Sequence, residues 1–176
     1  GVAWHCYAGD VAAQDGVHAA FPDKDAWLTE CSGGDWEPVK TEGLAGQVRR
    51  LVVGATRHWA RGVLFWNLVL DEQRGPHSGG CATCRGLVTV QSHDGAVTRT
   101  DDYYALAHAS RFVQPGAYRV DSTATADGLD NVAFRNPDGS LVLVAANSAK
   151  AARTFIVQAA GQRFRAMLDA GNVATY

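Results

Sequence analysis

Ala26-Trp27-Leu28-Thr29-Glu30-Cys31-Ser32-Gly33-Gly34 is the stretch on which the reading of this chain turns. A short apolar run bounded by glycines reads as a buried β-strand. A carboxylate at the C-terminal end of such a strand is costly to bury without a partner or a task. In an α/β barrel that strand end is where the active site sits. Glu30 is therefore a candidate catalytic carboxylate. Taken alone, the ordinary reading is a salt-bridged or solvent-facing glutamate, so the neighbouring sequence has to decide.

Upstream, residues 1–9 (GVAWHCYAG) form a first strand candidate, joined to 26–31 by a polar, alanine-rich connection with a turn signal at Pro22-Asp23. Downstream, Thr41-Glu42 can open a helix as N-cap and first-turn acid. Leu44, Val48, Leu51, Ala55 and Trp59 then recur on one helical face. Gly62 ends that helix, and residues 62–70 (GVLFWNLVL) make a third strand, apolar throughout, as in a parallel sheet covered on both faces. Strand, connection, strand, helix, strand is the grammar of an α/β fold. Three strands cannot close a barrel of eight.

A glycine-rich loop follows, then a hairpin over 87–100 with Asp94-Gly95 in its turn. Asp101 or Asp102 caps a helix running through Tyr104, Leu106, Ala107 and Phe112, stopped by Pro115-Gly116. From about residue 117 the pattern changes to short strands separated by turn chemistry, with Asn136-Pro137-Asp138-Gly139 a clear hairpin turn. Such spacing indicates a β-sandwich. The expected fold class is thus α/β plus all-β, with residues 1–112 one unit and 113–176 an antiparallel β-sandwich.

Composition limits the function. With 47% hydrophobic and 19% charged residues, the 176-residue chain has the make-up of an ordinary globular protein. A net charge of −2 gives no electrostatic case for nucleic acid, and no apolar run approaches a membrane span. The chain opens on Gly1, directly in strand-like sequence, so processing or truncation upstream is expected. Cys81-Ala82-Thr83-Cys84 admits a short-loop disulfide, half a zinc site or a redox pair. Zinc lacks two further ligands, and a redox pair lacks its strand-to-helix context. A disulfide is favoured, implying an oxidising compartment and a secreted, extracellular location. Cys6 and Cys31, inside strand-like runs, are expected as buried free thiols. Trp4, Trp27 and Trp59 read as core. His18, His58, His93 and His108 show no metal spacing and read as surface or packing residues. No metal or cofactor is expected.

Parallel strands bring their C-terminal ends to one face. The first end offers His5, Tyr7 and Asp10, the second Glu30, the third Trp66, Asn67 and Asp71. A carboxylate with a phenol, an indole and an imidazole around it suits a sugar. The carboxylate attacks or stabilises the anomeric carbon, and the indole offers a flat apolar face. GVAWHCYAGD (1–10), the Ala26–Cys31 strand, LFWNLVLD (64–71) followed by GPH, DDYYALAHASRFVQPGAYRV (101–120) and NPDGSLVLVAANS (136–148) together resemble the C-terminal part of glycoside hydrolase family 30, over essentially the whole chain.

That resemblance implies a partial (β/α)8 barrel, strands six to eight, followed by the sandwich. It implies that the sandwich also takes strands from the N-terminal end of the family's chain, leaving this one incomplete with an unpaired edge. Glu30 matches the family's nucleophile and Tyr7 the tyrosine that orients it. His5, Trp66 and Asn67 match pocket residues. From their positions in the chain, Trp36, in the loop after Glu30, reads as either packing or a rim contact to substrate, and His77, in the region of the Cys81–Cys84 loop, as a further substrate contact. Cys6 departs from the aromatic residue of the human-type lysosomal enzymes, and the Cys81–Cys84 loop suggests a bacterial, β-1,6-glucanase-like subgroup. The implied partner is a carbohydrate, a β-glucoside or β-glucan with glucosylceramide as a further option. The family's acid/base lies on the fourth barrel strand, so the N-terminal segment of the same enzyme is a second implied partner. The competing hypotheses are a non-catalytic carbohydrate-binding or interaction module on the same fold, and a thiol-redox protein built on Cys81 and Cys84.

Overall fold

The computed structural model describes residues 1–35, 39–124 and 127–176. In chain order its elements are β1 (Val2–His5), α1 (Ala13–Ala20), β2 (Ala26–Glu30), β3 (Gly33–Gly34) and α2 (Val39–Gln47). A π-helical stretch over Val48–Gly54 carries α2 into α3 (Ala55–Arg57). Next come β4 (Ala60–Val63), β5 (Val69–Asp71), β6 (Cys84–Arg85), β7 (Val88–Val90), β8 (Val97–Arg99) and α4 (Asp101–Ser110). The last third is β9 (Tyr118–Val120), β10 (Leu129–Arg135), β11 (Leu141–Asn147), β12 (Arg153–Ala159), β13 (Gln162–Leu168) and β14 (Val173–Thr175).

β1, β2 and β4 form one parallel sheet in that order. β5, β7 and β8 form a small mixed sheet, and β3 pairs with β6. The C-terminal third builds a four-stranded antiparallel sheet in the order β14–β11–β10–β9, with the hairpin β12–β13 packed against it. The structure is therefore mostly β-sheet with a few helices and no closed barrel among the described residues, and its last third has the sandwich form expected from its turns.

The helical segment from α2 to α3 is the shared wall of the molecule. Leu51, Val52 and Val53 are consecutive and all buried, which requires cover on both faces. Leu51 and Ala55 pack with Leu28, Cys31 and Ala60 of the parallel sheet. Val48, Val52 and Val53 pack instead with Val132, Phe134, Val142, Val144 and Ala146 of the antiparallel sheet, joined there by Ala105 of α4. The far side of β11 is covered too: Ala145 meets Leu129 and Leu168 under the hairpin. That double cover explains why β11 reads as a continuous apolar run. At its end, buried Asn147 donates through Nδ2 to the carbonyls of Ala151 and Leu168, each at 2.9 Å. A buried amide so committed fixes the strand end at little net cost.

Several expectations need correction. The polar connection after β1 contains the helix α1, whose short span carries no side-chain cap to announce it. The third strand is not continuous over 62–70. It splits into β4 and β5, because β5 leaves the parallel sheet to pair with β7. The helical face stops before Trp59, whose φ of 76° ends the helix, and the ring is 42% exposed between His18 (3.7 Å, stacked) and the Arg119 guanidinium (5.1 Å). Trp27 is 40% exposed on the open face of β2 and covers Gly62, where a Cβ would stand 2.5 Å from its ring. Of the three tryptophans expected in the core, Trp4 alone packs against it. Thr100, not an aspartate, holds the N-cap position of α4. The helix ends at Ser110, short of Phe112. Asp102 is instead fully buried, 2.7 Å from the Arg85 Nε. Trp36, Glu37 and the side chains of Thr41 and Glu42 lie outside the described residues.

Candidate active site

Pairing of β1 with β2 proceeds in register from Val2↔Ala26 to Trp4↔Leu28, then slips by one so that His5 stands opposite Glu30. Such a break in register re-aims side chains at a strand end. β4 continues the ladder beyond its regular span: the Leu64 N–H donates to the Leu28 carbonyl and the Trp66 N–H to the Cys31 carbonyl, both at 2.8 Å. The C-terminal ends of three adjacent parallel strands thus bring His5, Tyr7, Glu30 and Trp66 to one edge.

There the Tyr7 hydroxyl donates to Glu30 Oε1 at 2.9 Å, and His5 Nε2 lies 3.7 Å from Glu30 Oε2. The imidazole and phenol rings meet edge to face with centroids 5.8 Å apart. Ser32, which no sequence signal singles out, lies 3.1 Å from the Tyr7 hydroxyl. A phenol has one proton. With that proton on Glu30, the Ser32 hydroxyl donates to Tyr7, so a chain of two hydrogen bonds aims the phenol at the carboxylate. Desolvation is the main cause that pushes the Tyr7 pKa above its ordinary value; Ser32 opposes it and Glu30 adds to it. The phenol therefore stays protonated, a standing donor at neutral pH.

Tyr7 and Trp66 are 51% and 53% exposed, so these strand ends present two open aromatic rings at the edge that holds the half-buried carboxylate. Asn67 is half-buried beside Trp66, its carbonyl accepting the Leu87 N–H at 3.0 Å. His77 is exposed in the loop after β5.

Two disulfides flank the cluster. Cys81 and Cys84 are bonded, as expected, and Cys84 sits in β6, whose partner strand β3 begins three residues after Glu30. Cys6 and Cys31, expected as free thiols, are also bonded. The reason is geometric: the slip in register sets the two residues on the same covered side of adjacent strands, with Cα atoms 5.3 Å apart.

A second carboxylate for acid/base work is harder to find. Asp10 accepts the Ala12 N–H at 2.9 Å, and Asp35 is paired with Arg74 at 2.6 Å. Asp71 accepts the N–H groups of Gln73 and Gly75 at 2.9 and 2.7 Å, folding its own loop. Glu72 is held by Ser92, and those bonds keep its carboxyl below the usual range, hence ionised. Each described alternative is committed elsewhere. Among the described residues no group of three His, Cys, Asp or Glu side chains is placed to hold a metal ion, and no helix is long and apolar enough to cross a membrane.

Comparison with known proteins adds an independent view. Residues 116–176 match the family model described as the glycosyl hydrolase family 30 beta sandwich domain. An endo-1,6-beta-D-glucanase of Trichoderma harzianum is 38% identical over 156 residues, which is 84% of this chain and 30% of that protein. The lysosomal acid glucosylceramidase of Mus musculus is 27% identical over 157 residues, again 84% of this chain and 30% of that protein. A solved endo-beta1,6-glucanase superposes with a TM-score of 0.92 at 32% identity, covering 99% of this chain and 40% of its own. The chain thus spans about a third of the length of the curated relatives it matches.

Proposed function

Because this chain belongs to glycoside hydrolase family 30, whose members it matches over their C-terminal part, we propose that it is the nucleophile-bearing segment of a retaining β-glycoside hydrolase. In this reading β1, β2 and β4 are the sixth to eighth strands of a (β/α)8 barrel. Residues 1–112 are its C-terminal portion and 113–176 the appended sandwich. The parallel order β1–β2–β4, with helices in the connections, supports that assignment.

The observation that carries the function is the Tyr7–Glu30 hydrogen bond of 2.9 Å at the ends of two parallel strands, with His5 on the other carboxylate oxygen. A nucleophilic carboxylate must be ionised, and each of its oxygens must be held so that one lone pair faces the anomeric carbon. Tyr7 holds Oε1 and His5 approaches Oε2. Trp66 supplies the stacking face for the sugar ring, with Asn67 beside it and the exposed His77 as a further contact. Attack by Glu30 gives a glycosyl-enzyme ester, which water then hydrolyses. Retaining chemistry also needs an acid/base carboxyl roughly 5 Å from the nucleophile. The described candidates Asp10, Asp35, Asp71 and Glu72 are engaged elsewhere, and the family resemblance assigns that group to the N-terminal segment of the whole enzyme.

A β-1,6-linked glucan is the proposed substrate class, from the likeness to endo-1,6-β-glucanases. Two disulfides support a secreted protein in an oxidising compartment. The test is to assay this 176-residue chain and the whole enzyme on aryl β-glucosides and β-1,6-glucan. Turnover by the whole enzyme and none by the chain alone is expected. Robust turnover by the chain alone would overturn the division of the two carboxyls.

A further inference from the structure

The Cys6–Cys31 disulfide stands in an unusual place relative to the site. Its two halves are interleaved with the site residues: His5, Cys6 and Tyr7 are consecutive, and so are Glu30, Cys31 and Ser32. The bonds of Tyr7 with Glu30 and Ser32, and the approach of His5 to Glu30, gather residues 5, 7, 30 and 32 into one cluster, while the intervening Cys6 and Cys31 pack into the apolar core. There Cys31 is fully buried against Leu28, Leu51, Ala55 and Ala60, with Cys6 packed alongside.

The regular pairing of β1 with β2 ends at the same point. After the slip between Trp4 and His5, one backbone bond remains, from the Cys6 N–H to the Glu30 carbonyl at 3.2 Å. Tyr7 stands beyond that last bond and is 51% exposed, so the ladder does not fix its distance from Glu30. The disulfide is the one covalent tie between the two strand ends. We propose that Cys6–Cys31 is a positioning element for catalysis: it fixes the spacing of the strand ends so that the Tyr7 hydroxyl, braced by Ser32, stays aimed at Glu30. This rests on the reading of Glu30 as nucleophile.

Positioning differs measurably from mere stabilisation. If the disulfide only stabilised the fold, its removal and the loss of the Tyr7 hydroxyl would act independently and their effects on kcat would multiply. If it positions Tyr7, a molecule without the disulfide has already lost most of what the hydroxyl contributes. The experiment is a double-mutant cycle in the whole enzyme, pairing Tyr7→Phe with Cys6→Ala/Cys31→Ala and separately with the better-filled Cys6→Ser/Cys31→Val. On well-oriented sites a displacement near 1 Å costs about 100-fold in rate. Removing the disulfide should accordingly lower kcat by roughly 10- to 100-fold while KM changes by less than about 3-fold. Tyr7→Phe should cost about 100-fold in the parent and under about 5-fold without the disulfide. Multiplicative effects, an unchanged kcat, or loss of fold in both disulfide variants would overturn the proposal. The last outcome would make the bond a stability element. Glu30→Gln run in parallel separates the two failures. If that variant keeps full turnover, the nucleophile assignment itself is wrong; if it is dead while the cycle is multiplicative, only the role of the disulfide is.

Discussion

The parallel sheet β1–β2–β4 and the antiparallel sheet β14–β11–β10–β9 share one helical wall, yet they are built to different standards. The antiparallel sheet pairs β10 with β11 through seven residues in unbroken register, and Val132 and Val144 are fully buried in its centre. Its polar groups are structural, as with Asn147 and with Asn136, whose side chain receives the Gln114 N–H at 2.9 Å and ties the hairpin turn to the segment before β9. The parallel sheet has a register slip in each of its two pairings and leaves Tyr7, Trp27 and Trp66 exposed. Irregular pairing and open aromatics weaken packing, but they aim side chains outward at a strand end. The difference separates a region built for packing from the one in which the proposed chemistry is placed.

The sharpest way to break that contrast is Glu30→Gln in the whole enzyme. The side chain is half-buried and bonded to Tyr7, and glutamine keeps its shape, so the thermal midpoint should hold while kcat falls by at least roughly 1,000-fold. Comparable loss of stability would move Glu30 to the structural side.

Asp102→Ala should show the opposite signature. The carboxylate is fully buried and bonded to Arg85, and both press on Gly33, where a Cβ would stand 2.5 Å from each. Removing one member of a buried ion pair should destabilise by about 3–5 kcal/mol, read by chemical denaturation. Because Gly33 leads away from Glu30, activity per folded molecule should also fall, by less than for Glu30→Gln.

Much of the packing region was legible in the sequence, because its signals are local. Alternating strands and Asn136-Pro137-Asp138-Gly139 mark the hairpin without knowledge of the rest. The site was legible only as a set of strand ends. Pairing of Cys6 with Cys31 depends on a register slip between strands 25 residues apart, which no periodicity reports. Ser32 was invisible for the same reason, since its role exists only through Tyr7. Trp59 followed the helical spacing but not the helix, which ends at Arg57, ahead of the left-handed backbone at Trp59 itself. The split of the third strand into β4 and β5 was hidden because both pieces are apolar.

Within the packing region, Val144→Ala should cost about 2 kcal/mol of stability through lost burial and a cavity. The rate per folded molecule should stay at the parent value. A drop in kcat would mean that the two regions are coupled through the helical wall.

The smallest effect concerns pH. His108 of α4 bonds Thr175 of β14 at 2.9 Å, and burial holds its pKa below the usual imidazole value. The folded state therefore binds fewer protons than the unfolded state just below the ordinary histidine pKa. Stability from this residue is complete above that value and is lost as pH falls toward the depressed one. Between pH 7 and pH 5 the melting midpoint should drop by about 2 °C more in the parent than in His108→Gln. Equal pH slopes would remove His108 from this role.

The central claim, that the irregular sheet carries the nucleophile on Glu30, is tested most directly by trapping. The whole enzyme is incubated with a 2-deoxy-2-fluoro-β-glucoside bearing a good leaving group, and its peptides are then mapped by mass. One fluoroglucosyl group on the peptide containing Glu30, absent in Glu30→Gln, is the predicted result; labelling on another carboxylate, or turnover with no covalent adduct, would contradict it.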